Sequence, residues 1–460
     1  MMSPPAHITL SQWDSRYRQL QQDGLKERFY GGPLSRHIHD GDTRLKHLKF
    51  DNSPAALALW NLLLTENDRL HKARKDVKKI IGTMKDLGTI PVLVYSFENM
   101  VAFYPDGAWW TPCIMEQNEG LFDLAAKYGL DESYCPVRAM LGAFINQDHF
   151  PIPDTLICSV GAVCDDFSAI AQRLEHLGFA IHWWHMPHRR QASAKETAVS
   201  LPGQLHAPTS QVRLVRSELE DIITQLEQTA GQSLTESMLV SGIQKANQLR
   251  TILRQLRSLV YSTRPCPLGS LEMLLAEMLA IHFCSDYKES IDVLQDLLTV
   301  VQERIRSKSG VLPDDTARVF WVNPVADLRV MNLLEECGGQ ICGTEYLFSH
   351  ALDPIPEDIE PLEALARTAL ADPMVGSTHD RAARIQNDIQ AFGAEALIIS
   401  RIPGASHCAY EGRIIGDAIR NSLDIPVLEI EIPSLCDSLE PSIRTRLEAL
   451  IETIKQRRCI

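Results

Sequence analysis

Long apolar runs, an export signal, closely paired cysteines and phosphate-binding loops are all missing from this chain of 460 residues. No uninterrupted apolar stretch approaches the roughly 20 residues needed to cross a bilayer, so no membrane span is expected. The first residues, MMSPPAHITLSQWDSRYRQ, lack the charged-then-apolar pattern of a secretory signal, which predicts a cytoplasmic location. In a chain that is not exported, the eleven cysteines do not read as a disulfide framework. None of them forms a CxxC pair, the spacing that structural zinc prefers. Neither GxxxxGKS/T nor GxGxxG occurs, so an ATP-dependent step would belong to another polypeptide. Basic residues are also short: 45 Lys and Arg against 59 Asp and Glu leave a net charge of -14. That balance gives no basic face for nucleic acid.

What is present is ordinary for a soluble globular protein, with 45% apolar and 23% charged residues, on a chain long enough for two or three domains. Residues 1–85 read as an irregular, mostly helical arm. In it, a polar loop at 37–54 precedes a long amphipathic helix that starts at Ser53-Pro54 and runs through Leu57, Leu63 and Leu70. His37, His39 and Asp40 make a conceivable metal corner, but nothing nearby completes it, and a polar loop is the plainer reading. Residues 86–205 read as a first α/β unit, with strands expected at 90–97 (IPVLVYSF), 155–160 and 179–187. Residues 206–312 are a helical segment, in which Leu239, Ile243, Ala246, Leu249, Leu253, Leu256 and Val260 recur at helical spacing. Residues 313–460 alternate strand and helix again and form a second α/β unit. This alternation predicts parallel sheets with right-handed crossovers.

The two units share a plan, because each sets a cysteine in the loop after an internal strand. Cys164 follows LICSVGAV and Cys408 follows LIISRIPG, while Cys135 stands in YCPVRAM ahead of the first of these strands. Loops beyond the carboxyl ends of strands are where open α/β sheets bind ligands. Thiolates converging from two sheet edges suit an iron–sulfur cluster, with zinc as the competitor. The remaining cysteines read as packing, including Cys266, Cys284 and the Cys337/Cys342 pair. His182, His185 and His188 are three residues apart on a strand, which sends neighbours to opposite faces and suits a three-histidine metal site poorly. Trp109 and Trp110, beside Cys113, would either wall a pocket or simply pack.

Taken in order, YCPVRAM, PIPDTLICSVGAVCDDF, WHMP, WVNP, ALIISRIPGASHCAYEGRIIGDAI and IPVLEIEIP resemble the 2-hydroxyacyl-CoA dehydratase/benzoyl-CoA reductase family over residues 86 to 460. The resemblance implies two Rossmann-like units joined by a helical segment. It also implies a [4Fe-4S] cluster held by Cys135, Cys164 and Cys408, and a CoA thioester substrate. The partners implied are a sister cluster-binding subunit and an ATP-hydrolysing iron–sulfur activator fed by ferredoxin. Within the family, the long arm and the stretch VCDDFSAIAQRLE are most similar to the larger cluster-binding subunit of ATP-dependent, class I benzoyl-CoA reductase, which reduces the aromatic ring to a diene. The alternatives are a 2-hydroxyacyl-CoA dehydratase subunit and a non-catalytic electron-transfer protein of the same fold. His182, His185 and Glu98 are the candidate proton donors.

Overall fold

The structure is a computed structural model that describes residues 4–38, 44–84, 88–106, 119–282, 285–405, 411–433 and 437–459. Its strands are β1 (His7–Thr9), β2 (Lys49–Asp51), β3 (Lys79–Met84), β4 (Met100–Phe103), β5 (Thr155–Gly161), β6 (Ile181–Met186), β7 (Ala198–Leu201), β8 (Leu205–Pro208), β9 (Ala317–Val322), β10 (Gly339–Glu345), β11 (Ala396–Arg401) and β12 (Val427–Glu431). Two four-stranded sheets dominate, ordered β4-β3-β5-β6 and β10-β9-β11-β12. Every pairing within them is parallel. In chain order both sheets read second, first, third, fourth, so each has a switch point between its first and third strands. The fold is α/β, with two Rossmann-like units and a helical N-terminal region.

Near-continuous apolar runs form these strands because both faces of each sheet are covered. Val319, Phe320, Trp321, Val322, Leu397, Ile398 and Ile399 are all fully buried. Helices cover them with one-sided stripes. In the last helix, Glu440–Arg457, the buried residues are Ile443, Leu447, Leu450, Ile451 and Ile454, each contributing roughly 1.5–3 kcal/mol on burial.

The helical segment comprises Thr209–Ala230, Glu236–Ser262, Ser270–His282 and Tyr287–Arg306. Its longest member, opened by the Thr235 hydroxyl accepting from the Met238 amide, spans the two units. It packs on the short helix Ile90–Tyr95 of the first and on β10 of the second. The arm is stitched onto this segment by buried polar bonds. Trp60 Nε1 donates to Glu272 Oε1 at 3.2 Å, and Arg304 Nη2 donates to Asp51 Oδ1 at 3.0 Å.

Three local expectations differ from the structure. IPVLVYSF is not a strand: Ile90–Tyr95 is a helix with Pro91 in its first turn and every residue buried. The first sheet begins instead at β3, in KKIIGTM, which reads as the tail of a helix and lies ahead of residue 86. The long arm helix is two helices, Pro54–Leu64 and Glu66–Lys75. They part at Thr65, whose hydroxyl donates to the Asn61 carbonyl at 2.6 Å and so draws that turn out of regular geometry. Among the described residues, no helix is long and apolar enough to cross a membrane.

Candidate functional site

The site lies at the carboxyl ends of the two sheets. In the first unit, β5 ends at Gly161, whose φ is +96°. A Cβ there would stand 2.4 Å from the Met186 carbonyl oxygen, so only glycine lets β5 and β6 close at this point. The Ala162 amide donates to the same carbonyl at 2.7 Å. Val163 then takes φ +85°, a conformation costly for a β-branched residue and typical of functional turns. This turn delivers Cys164, extended and buried, to the N-terminus of the helix Asp165–His176. The partial positive charge of a helix N-terminus suits a thiolate ligand.

Cys135, half-buried, stands at the start of a second helix: the 3₁₀ turn Pro136–Arg138 runs directly into Ala139–Asn146. The two cysteine loops meet at Asp166. Its Oδ1 accepts from the Cys135 amide at 3.3 Å and its Oδ2 accepts from the Cys164 thiol at 3.4 Å. The second unit reaches the same place through the loop after β11. Gly404, with φ +79°, sits so close to Tyr134 that a Cβ would fall 2.5 Å from the Tyr134 carbonyl oxygen. Tyr134 is the immediate neighbour of Cys135. Cys408 itself lies outside the described residues. Among those described, no group of three or more His, Cys, Asp or Glu side chains is arranged to hold a metal.

A buried ion-pair network surrounds the carboxyl edge of the second sheet. Arg381, only 2% exposed, donates from Nε to Glu345 Oε2 at 2.8 Å, from Nη2 to Asn323 Oδ1 at 2.6 Å and from Nη1 to Glu411 Oε2 at 2.5 Å. Burial disfavours the Arg381 charge, but Glu345 and Glu411 outweigh it and raise the guanidinium pKa above its ordinary value. Asn323 and Leu347, which end the strand runs of β9 and β10, both have positive φ, at +74° and +76°. Asn323 Nδ2 also donates to the Ser400 carbonyl at 2.8 Å. The network therefore fixes the end of β11 and the start of the next helix at Glu411.

The other candidate residues fall elsewhere. Glu98 is exposed and precedes β4, so it lies at the amino edge of the first sheet, opposite the cysteines. There it lines a polar cavity of about 350 Å³ with Tyr30, Arg69 and Lys245. His185 is nearer to the cysteines: its ring carbon Cε1 would be 3.2 Å from a Cβ on Gly161. His182 is half-buried, and burial lowers its pKa against the opposing pull of Asp221 and Glu218. His188 is exposed. His37 packs with Nε2 2.8 Å from Asn61 Oδ1, while His39 and Asp40 lie outside the described residues. Trp184 is buried and Trp183 donates to Glu175 Oε1 at 2.9 Å. Trp109, Trp110, Cys113 and Cys284 are outside the described residues. Cys266 and Cys342 are core thiols, each pushed up to about 12 by burial. Sequence reasoning missed Asp166 as a link between loops, although the Asp-Asp pair after Cys164 was in plain view.

A family model matches this architecture, that of the 2-hydroxyglutaryl-CoA dehydratase D-component, over residues 93–454. The chain belongs to this family. The match spans both sheets apart from β3, the helical segment and all three cysteines at issue. No curated protein matches this dehydratase-family chain.

Proposed function

We propose that this chain is the cluster-binding subunit of a two-subunit enzyme of the 2-hydroxyacyl-CoA dehydratase type, with Cys135, Cys164 and Cys408 as the ligands of a [4Fe-4S] cluster. The observation that carries the reading is Asp166, which brings the Cys135 and Cys164 loops to one point while Gly404, in the loop after β11, packs against Tyr134. The described donors fit: Cys135 and Cys164 stand at helix starts on the carboxyl side of the first sheet, where α/β folds bind ligands. Such a cluster supplies single electrons at low potential to a bound CoA thioester. The chain's own residues orient the sulfurs, hold the two sheet edges together and keep water from the buried Cys164. His185, beside Gly161, is the candidate nearest the site for moving a proton. The partners would be a sister subunit and an ATP-hydrolysing iron–sulfur activator that receives electrons from ferredoxin, so the isolated chain should show no ATPase activity.

Reduction of benzoyl-CoA to a cyclohexadienoyl-CoA is the second reading, favoured by the VCDDFSAIAQRLE stretch, the stitched N-terminal arm and the long helical segment. The two reactions differ in electron balance. Dehydration of a 2-hydroxyacyl-CoA releases water and returns its electron, whereas ring reduction consumes two electrons and two protons per turn. An anaerobic assay of the full complex, offered each thioester in turn, separates them by net use of reductant.

The cluster assignment is tested on iron. Cys135→Ala, Cys164→Ala and Cys408→Ala should each strip or destabilise iron, and Cys342→Ala should not. Full iron in Cys408→Ala would overturn the ligand set.

A further inference from the structure

Two carboxylates open the helix after Cys164, and they behave differently. Asp165 is exposed and does what first-turn acids ordinarily do, facing the helix dipole from solvent. Asp166 is 6% exposed. A buried carboxylate is costly unless its oxygens are satisfied, and here one is satisfied by a distant loop and the other by the residue that caps its own helix. One oxygen accepts the amide of Cys135, 31 residues earlier in the chain, and the other accepts the thiol of Cys164. The two cysteines belong to different connections, one before β5 and one after it.

We propose that Asp166 is a positioning residue for the cluster, clamping the two cysteine loops in register and setting a fixed negative charge beside the ligand sulfur. The inference rests on the reading of Cys135 and Cys164 as ligands. The clamp acts through the Cys135 main chain, so it sets where that sulfur stands without touching it. The charge acts on Cys164. As a thiol, Cys164 donates to the carboxylate; as a ligand it has no proton to give. Asp166 then stands as an anion against an anionic sulfur, and negative charge near a cluster lowers its reduction potential. The clamp thus serves an enzyme whose chemistry requires a strongly reducing donor.

Asp166→Ala removes both clamp and charge, while Asp166→Asn keeps an acceptor oxygen for the Cys135 amide and removes only the charge. The full chain, loaded anaerobically together with its sister subunit, is challenged with a chelator and titrated by EPR for its midpoint potential. Asp166→Ala should lose iron faster, on the order of 10-fold or more, as expected when a group orienting a metal ligand is removed. Asp166→Asn should keep its iron and titrate at a more positive potential. If Asp166→Ala fails to fold, the Asp166→Asn potential decides, and an unchanged potential overturns the proposal. Wild-type iron retention and potential in both variants also overturn it, provided Cys135→Ala and Cys164→Ala lose iron. Full iron in those two cysteine variants would instead overturn the cluster reading beneath it.

Discussion

The two α/β units share a strand order but anchor their sheets at different edges. The first unit has an ion-pair cluster at its amino edge: Asp154, just before β5, accepts from Arg74 Nη1 at 2.6 Å and from Lys79 Nζ at 3.2 Å. At the carboxyl end of β5, where Cys164 lies, the turn is set by a glycine, a strained valine and one bridging carboxylate. The second unit braces its carboxyl edge with Arg381, which donates to Glu345, Asn323 and Glu411 at once. Equal topology therefore does not mean equal rigidity at the site. The β11 end is braced by a buried ion-pair network and the β5 end is shaped by backbone geometry; the units meet where Gly404 lies on Tyr134 and where the buried Arg189, past β6, donates to Asp380 Oδ2 at 3.2 Å.

The strongest way to break this contrast is to remove the brace. Arg381→Ala leaves Glu345 buried beside no cation and should destabilise the protein by about 3–5 kcal/mol, read as a lower urea midpoint. A loss below about 1 kcal/mol, the range of surface ion pairs, would mean the network is not a brace. Next is the contact between units. Gly404→Ala combines a positive φ with a collision against a carbonyl and should cost about 1–3 kcal/mol. Gly178→Ala also has positive φ, at +91°, but nothing within 4 Å of the new carbon, so it pays for the backbone alone. Only Gly404→Ala should also weaken iron retention; equal behaviour of the two variants would remove the contact from the argument.

The smallest effect is in pH. His182 lies on β6 in the first unit, and burial holds its pKa below the ordinary 6.5. In the unfolded chain it takes up a proton first on acidification, so the stability it allows is present above pH 6.5 and declines as pH falls through that value. The unfolding midpoint should drop modestly between neutral pH and about pH 5.5, and His182→Gln should flatten that slope. An unchanged slope in the variant would show that the acid sensitivity arises elsewhere.

The helical segment was legible because its faces differ: Leu239 to Val260 repeats with the helical period, and those residues are buried. The stripe on the final helix was legible for the same reason, whereas the strand at Thr155, buried on both faces, was read from a short apolar run closed by Gly161. IPVLVYSF misleads because all six residues of its helix are buried, and an apolar run without a polar face has no period to read. Pro91, well suited to a first helical turn, was the available signal. Taking that run as a strand moved Glu98 to the wrong edge of the sheet. Cys135 and Cys164 were visible as a pattern, but Asp166 was not visible as their link. Its role depends on a tertiary contact with Cys135, and a first-turn aspartate looks the same in sequence whether it faces water or a sulfur.

The meeting of Gly404 with the Tyr134 carbonyl has a consequence for how this molecule tolerates change. At this point the two halves meet through main-chain atoms on both sides, whereas the buried Arg189 side chain, just past β6, spans them by donating to the Leu370 carbonyl at 2.6 Å and the Asp372 carbonyl at 3.2 Å. Side chains around Gly404 and Tyr134 can change while this main-chain approach keeps its width, so the spacing of the two units there is insulated from drift in the residues that surround it.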